Sequence, residues 1–208
     1  MTIEEIIRHR RSIRQFAPDA VSTVKLRQML TLASMGPNVS NQQMWRFIIV
    51  TERNLLRMLA ALVEKRIQAM AEWPELENDA LRLNAMKESA IHFEKAPAVI
   101  FFINRQYHNP IERALVERGM KWWETGELFG QPDIQSVSVV MAYFSLLAEE
   151  HGYGTCWLTT PLIAKKDLQA SLELPSGEGI VALMSVGKPA EYPPPKPRKA
   201  IDEMIEWR

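Results

Sequence analysis

Two hydrophobic periods run through the chain. Residues 98–104, AVIFFIN, are a continuous apolar run between Pro97 and a polar stretch, the pattern of a strand buried on both faces. Phe47–Val50, Thr155–Leu158 and Ile180–Val186 read as further strands. The helical period opens at the N-terminus, where Thr2 and Glu5 have capping-box spacing and Ile3, Ile6 and Ile7 share a face. Ser22 caps a second helix with apolar positions at Val24, Leu26, Met29, Leu30 and Ala33, and Gly36-Pro37 stops it. Residues 53–72 are amphipathic, and similar patterns predict helices over 75–94 and 164–172.

The longest helix is predicted from Pro132, well placed in a first turn, to His151-Gly152. Val137, Val139, Val140, Met141, Ala142, Phe144, Leu146 and Leu147 leave it little polar face. The pattern predicts burial all round, at the centre of the domain or against a second copy. Residues 105–131 follow neither period, because Gly119, Gly126 and Gly130 interrupt a mixture of charges and aromatics. Five of the 13 prolines fall between Pro189 and Pro197, which predicts an extended arm over 188–208 with room for a short helix from Lys199. The expected architecture is one α+β domain over 1–208. It has a mixed, mainly antiparallel sheet flanked by helices, a long central helix and an extended C-terminal arm.

Charge and composition narrow the function. The 208 residues carry 25 Lys+Arg and 25 Asp+Glu, and this zero balance offers no field to hold nucleic acid. Hydrophobic residues make up 47 %, an ordinary globular share. No run reaches the roughly 18–20 apolar residues of a membrane span, and the opening residues lack the pattern of a signal peptide. The single cysteine, Cys156, excludes an internal disulfide, so the expected setting is cytoplasmic. Cys156 itself reads as a buried core thiol. His9, His92, His108 and His151 show no metal-ligand spacing with each other or with it, so no metal is expected.

Local charge is less even. Arg8, Arg10, Arg11 and Arg14 cluster around Ser12 with no acid among them. Forked guanidinium donors with a hydroxyl suit a phosphate monoester. The same residues also read as a cationic helix end. Lys196, Arg198 and Lys199 form a second basic cluster on the proline-rich arm, and a solvated tail explains them equally well. The amide-rich loop from Pro37 to Phe47 suits recognition of a heterocycle, or is ordinary turn chemistry.

In combination the motifs are more specific. RRSIRQF at 10–16, PNVSNQQMWRF at 37–47, GYGTCW at 152–157, and GKPA followed by PPKPRK at 187–199 occur in that order. Together they resemble the signature regions of the nitroreductase family of FMN-dependent oxidoreductases. The resemblance implies an intertwined homodimer with FMN at the interface and NADH or NADPH as a transient donor. It assigns Arg10 and Ser12 toward the phosphate and ribityl chain, Arg14 toward the pyrimidine edge, and Arg11 to the cofactor site without a stated contact. Lys196 and Arg198 would complete the phosphate site. Pro37, Asn38, Val39 and Asn41 would come from the second copy, with Leu158 and Thr159 beside flavin N5 through backbone groups. Two positions depart from the family pattern: Val39 offers only its backbone, and Thr159-Thr160 stand where many relatives have Gly or Glu-Gly.

The implied reaction is ping-pong hydride transfer from NAD(P)H through the flavin to a nitroaromatic, quinone or similar small acceptor, with no obligate catalytic side chain. The same scaffold serves enone reduction, dehydrogenation and dehalogenation, and a non-catalytic FMN-binding protein would keep the same cradle. The segment 105–131 is the expected cover of the flavin. Tyr107, Trp122, Trp123 and Phe129 are its candidates for stacking on a planar acceptor, or for packing in a dimer core. No GxGxxG or phosphate-binding loop occurs, so no separate nucleotide cleft is expected.

Overall fold

The computed structural model describes residues 1–107 and 109–208, with all of their side chains except that of Trp122. Its centre is the run 98–104. This strand, β2 (Ala98–Asn104), is flanked by β1 (Trp45–Val50) and β4 (Gly179–Gly187), and β3 (Gly154–Leu158) lies outside β4. The order is β1-β2-β4-β3, and all three pairings are antiparallel. The parallel component expected of the sheet is, among the described residues, a single bridge between Ser12 and Thr155.

Alternation along β2 sorts the helices into two layers. Val99, Phe101 and Ile103 point into one core with α3 (Arg53–Met70), α4 (Ala80–Ile91) and α8 (Lys165–Ser171). Ala98, Ile100 and Phe102 point into the other, with α2 (Thr23–Ala33) and α7 (Pro132–Glu150). There the Phe102 ring meets those of Phe47 and Phe144 edge-on, with centroids 5.5 and 6.2 Å apart. The first helix, α1 (Ile3–His9), closes its N-terminus with the predicted Thr2–Glu5 capping box.

Three expectations change. The helix predicted from residue 75 begins at Ala80, because Pro74–Leu76 forms a separate 3-10 turn in front of it. The terminal helix shrinks to one turn at Ile201–Glu203. The α7 helix is buried on one face only: Val137, Val140, Met141 and Phe144 are inside, whereas Ile134 and Tyr143 are exposed and Val139, Leu146 and Leu147 half-buried. The irregular segment resolves into two short helices, α5 (Pro110–Glu117) and α6 (Trp122–Leu128), packed chiefly on each other. No helix among the described residues is long and apolar enough to cross a membrane.

Candidate functional site

Apart from Arg8, in the last turn of α1, the first basic cluster lies on an extended segment that leaves the helix at Arg10 and runs beside β3. The Ile13 N–H donates to the Thr155 carbonyl at 2.9 Å, in register with the Ser12–Thr155 bridge. Alternation then turns Ile13 inward, where it is 1 % exposed, and leaves Ser12 and Arg14 facing outward. This close approach explains two motif glycines. A Cβ on Gly154 would lie 2.6 Å from Ile13 Cγ1 and 2.8 Å from Ile13 Cβ. A Cβ on Gly187 would lie 2.8 Å from both Phe16 Cδ1 and Pro97 Cδ.

The start of the arm holds the same segment from its other side. Ala17 N–H donates to the Lys188 carbonyl and Ala190 N–H to the Gln15 carbonyl, each at 2.9 Å. Glu191 Oε1 accepts from the backbone N–H groups of Arg14 and Gln15, at 2.8 and 3.2 Å. Tyr192 stacks obliquely on His9, whose Nδ1 bonds the buried carboxylate of Glu149 on α7. The arm therefore leaves the sheet in a defined direction and returns its cations to the arginines.

The result is a cleft of about 770 Å³ lined by Arg8, Arg10, Arg11, Ser12, Arg14, Lys196 and Arg198, with Leu146 and Pro193–Pro195 as its apolar wall. Among the described residues, Arg8 is the only one of its cations with a carboxylate at ion-pair distance, Glu4 at 2.9 Å. Arg11 donates from Nη1 to the carbonyls of Arg8, His9 and Arg10, so it also caps α1. Like charges held together without counter-charge repel, and an anion among them relieves that repulsion. The donor set of forked guanidinium groups, an ammonium and a hydroxyl fits a phosphate monoester.

The other named residues lie elsewhere. In the loop after α2, Asn38 Oδ1 accepts from Gln43 N–H at 2.9 Å, while Ser40, Asn41 and Gln43 all take left-handed φ values near 50°. Three such residues in four positions mark a strained loop of the kind that accumulates at binding sites. Pro37, Asn38, Val39 and Asn41 do not line the basic cleft of their own chain. The Leu158 side chain is core, and Thr159 is exposed just past the strand. Because the Thr155 backbone faces the Ser12 side, the period of two turns Trp157, and not Leu158, toward that open edge. Tyr107 and Trp123 line a separate cleft beside α5 and α6, and Phe129 is half-buried at the end of α6. The side chain of Trp122 and all of His108 lie outside the described residues.

Burial pushes the Cys156 thiol pKa up, with Arg14 opposing, which suits a core thiol and not a nucleophile. Among the described residues, no group of three or more His, Cys, Asp or Glu is placed to hold a metal ion. Arg8 was visible as part of the cationic cluster. Glu191 and His9 carry no pattern that marks them in advance, since their partners are distant in sequence.

The family profile described as "Nitroreductase family" matches residues 7–188, and the chain belongs to this family. A Thermus thermophilus protein named NADH dehydrogenase is 28 % identical, covering 96 % of this chain and 92 % of that one. A Rhodospirillum rubrum protein named 5,6-dimethylbenzimidazole synthase is 25 % identical, covering 92 % and 84 %. Among solved structures, a BluB-like flavoprotein from Clostridium difficile 630 superposes with a TM-score of 0.85 at 24 % identity, covering 100 % and 99 %. Relatives of one fold thus carry names for different reactions, as expected where the scaffold is shared and the substrate surface is not.

Proposed function

We propose that the protein is an FMN-dependent oxidoreductase that takes hydride from NADH or NADPH and delivers it to a nitroaromatic, quinone or similar small organic acceptor. The observation that carries this reading is the convergence of Arg10, Ser12, Arg14, Lys196 and Arg198 on one cleft. Arg10, Arg11, Ser12, Lys196 and Arg198 would hold the FMN phosphate and ribityl chain. Arg14 would lie at the pyrimidine edge, where a cation favours the negative charge a reduced ring carries. Bound FMN supplies the hydride chemistry, accepting from the nicotinamide and giving to the acceptor. The open backbone edge at Trp157 and Thr159 supplies hydrogen-bonding groups to the ring without a side chain that must gain or lose a proton.

The unit is read as a homodimer in which Pro37, Asn38, Val39 and Asn41 of a second copy complete each site. Val39, Ile134 and Tyr143 are exposed in the single chain, and their apolar surface supports such a contact. In this reading residues 1–208 are one domain, 105–131 cover the flavin and 188–208 are the arm. The free, buried Cys156 is consistent with a cytoplasmic setting.

The deciding experiment is an absorption spectrum of the purified protein, followed by anaerobic addition of NADH and then NADPH. Flavin bands that bleach within seconds support the reading and identify the donor. A colourless protein that also fails to take up added FMN overturns it, and bands that neither nucleotide bleaches overturn the NAD(P)H step.

A further inference from the structure

The α5–α6 hairpin is inverted relative to an ordinary helix pair. Ile111, Trp123 and Leu128 are each more than 60 % exposed, while Glu112 is 4 % and Thr125 0 % exposed in its interior. Glu112 Oε1 accepts from the Thr125 hydroxyl at 2.9 Å. Glu112 Oε2 is buried and has no hydrogen-bond partner among the described residues. A buried carboxylate with an open acceptor is costly, and a leucine would pack a hairpin better.

Glu112 lines a cleft of about 220 Å³ between this hairpin and the first turn of α7, together with Tyr107, Trp123, Glu127 and Asp133. The cleft has three carboxylates and no lysine or arginine in its lining. Asn104 Nδ2 donates to Asp133 Oδ2 at 2.5 Å, and the Lys165 ammonium acts on Asp133 from outside the cleft, so among the described residues Glu112 and Glu127 are the carboxylates without a cation of their own. The Trp123 ring already carries one cation, the Lys121 ammonium at 5.2 Å from its centroid. Aromatic rings beside carboxylates are the setting that binds organic cations.

We propose that this cleft binds the cationic, N–H-bearing end of a small aromatic ligand, with the buried Glu112 carboxylate as its counter-charge and Tyr107 and Trp123 flanking it. An amidinium or primary ammonium group on a single ring has the required charge, donors and size. The binding stands on the cleft alone. Its consequence, that acceptors bearing such a group are preferred, rests on the FMN reading above.

The test is an NMR titration of the purified protein, following tryptophan indole N–H resonances, with benzamidine and its neutral isostere benzamide. Flavin absorbance is recorded on the same samples. The expected result is saturable benzamidine binding that shifts the Trp123 resonance, with benzamide weaker by about tenfold or more, the worth of one charge-assisted hydrogen bond. Glu112→Gln should bring the two ligands to the same affinity, and Glu127→Gln, at the exposed rim, should cause a smaller loss. Should Glu112→Gln fail to fold, Trp123→Ala takes its place, since that side chain is exposed, and benzamidine should then bind several-fold more weakly. Benzamide binding as tightly as benzamidine, undiminished benzamidine binding in the variants, or no benzamidine binding at millimolar concentration would each overturn the proposal. Protein that neither carries FMN nor takes it up when added, yet still binds benzamidine, would remove the FMN reading and leave this cleft standing.

Discussion

Two clefts of opposite sign lie on one chain and are built by opposite means. The basic cleft is formed by a segment clamped between β3 and the arm, with backbone hydrogen bonds on both sides and glycines cleared for its approach. The carboxylate-lined cleft hangs on α5 and α6, which pack chiefly on each other and bury polar groups between them. One is held rigidly by the sheet; the other is attached to it. This contrast suits the proposed division, with the cofactor in the rigid site and acceptor choice in the attached one.

Removing residues 189–208 should separate the two most sharply. It deletes Glu191, Lys196 and Arg198, so FMN retention and dimerisation should both be lost, while benzamidine binding persists. A truncated protein that remains dimeric at low micromolar concentration would contradict the wrapped arm. Arg10→Ala and Arg198→Ala should each weaken FMN binding by roughly 1.5–3 kcal/mol, the worth of a charged hydrogen bond, as read by flavin fluorescence titration. Wild-type affinity in both variants would refute the phosphate assignment. Gly154→Ala places a methyl group against Ile13 and should cost about 1–3 kcal/mol of stability, measured by denaturant unfolding, with little effect at the acidic cleft.

The smallest effect lies behind the basic cleft. Burial lowers the His92 pKa from its usual 6.5, with Arg14 pushing the same way and the Ser89 carbonyl opposing. The unfolded chain therefore binds this proton more readily than the folded one. The His92 contribution to stability is complete above about pH 6.5 and is lost as pH falls from there through the lowered folded value. His92→Gln should flatten the decline in unfolding free energy between pH 7 and 5, and an unchanged slope would exclude His92 as its source.

Much of this organisation was legible in the chain. The run 98–104 announced a central strand because every residue from Ala98 to Ile103 is fully buried, so no alternation interrupts it. Caps at Thr2 and Ser22 and the proline at 132 marked helix starts because those residues satisfy local backbone geometry. The basic residues of the cleft were visible as two clusters, but their meeting depends on Glu191 and on strand register, which local pattern does not encode. For α7 the pattern left two readings, centre of the domain or burial against a second copy, and the exposed Ile134 and Tyr143 remove the first. The Glu112–Thr125 pair was invisible for a related reason: a buried carboxylate has the same sequence appearance as a solvated one.

The glycines separate the positions that tolerate a side chain from those that do not. Gly154 and Gly187 stand where any side chain strikes Ile13, Phe16 or Pro97, whereas an added methyl group at Gly126 meets nothing within 4 Å. In a saturation library the first two positions should stay fixed while α6 accepts wide replacement, and Gly126→Ala should even firm that helix. If the hairpin sets acceptor choice as proposed, it is an exchangeable cassette on a fixed frame, and rewriting residues 105–131 alone should change specificity.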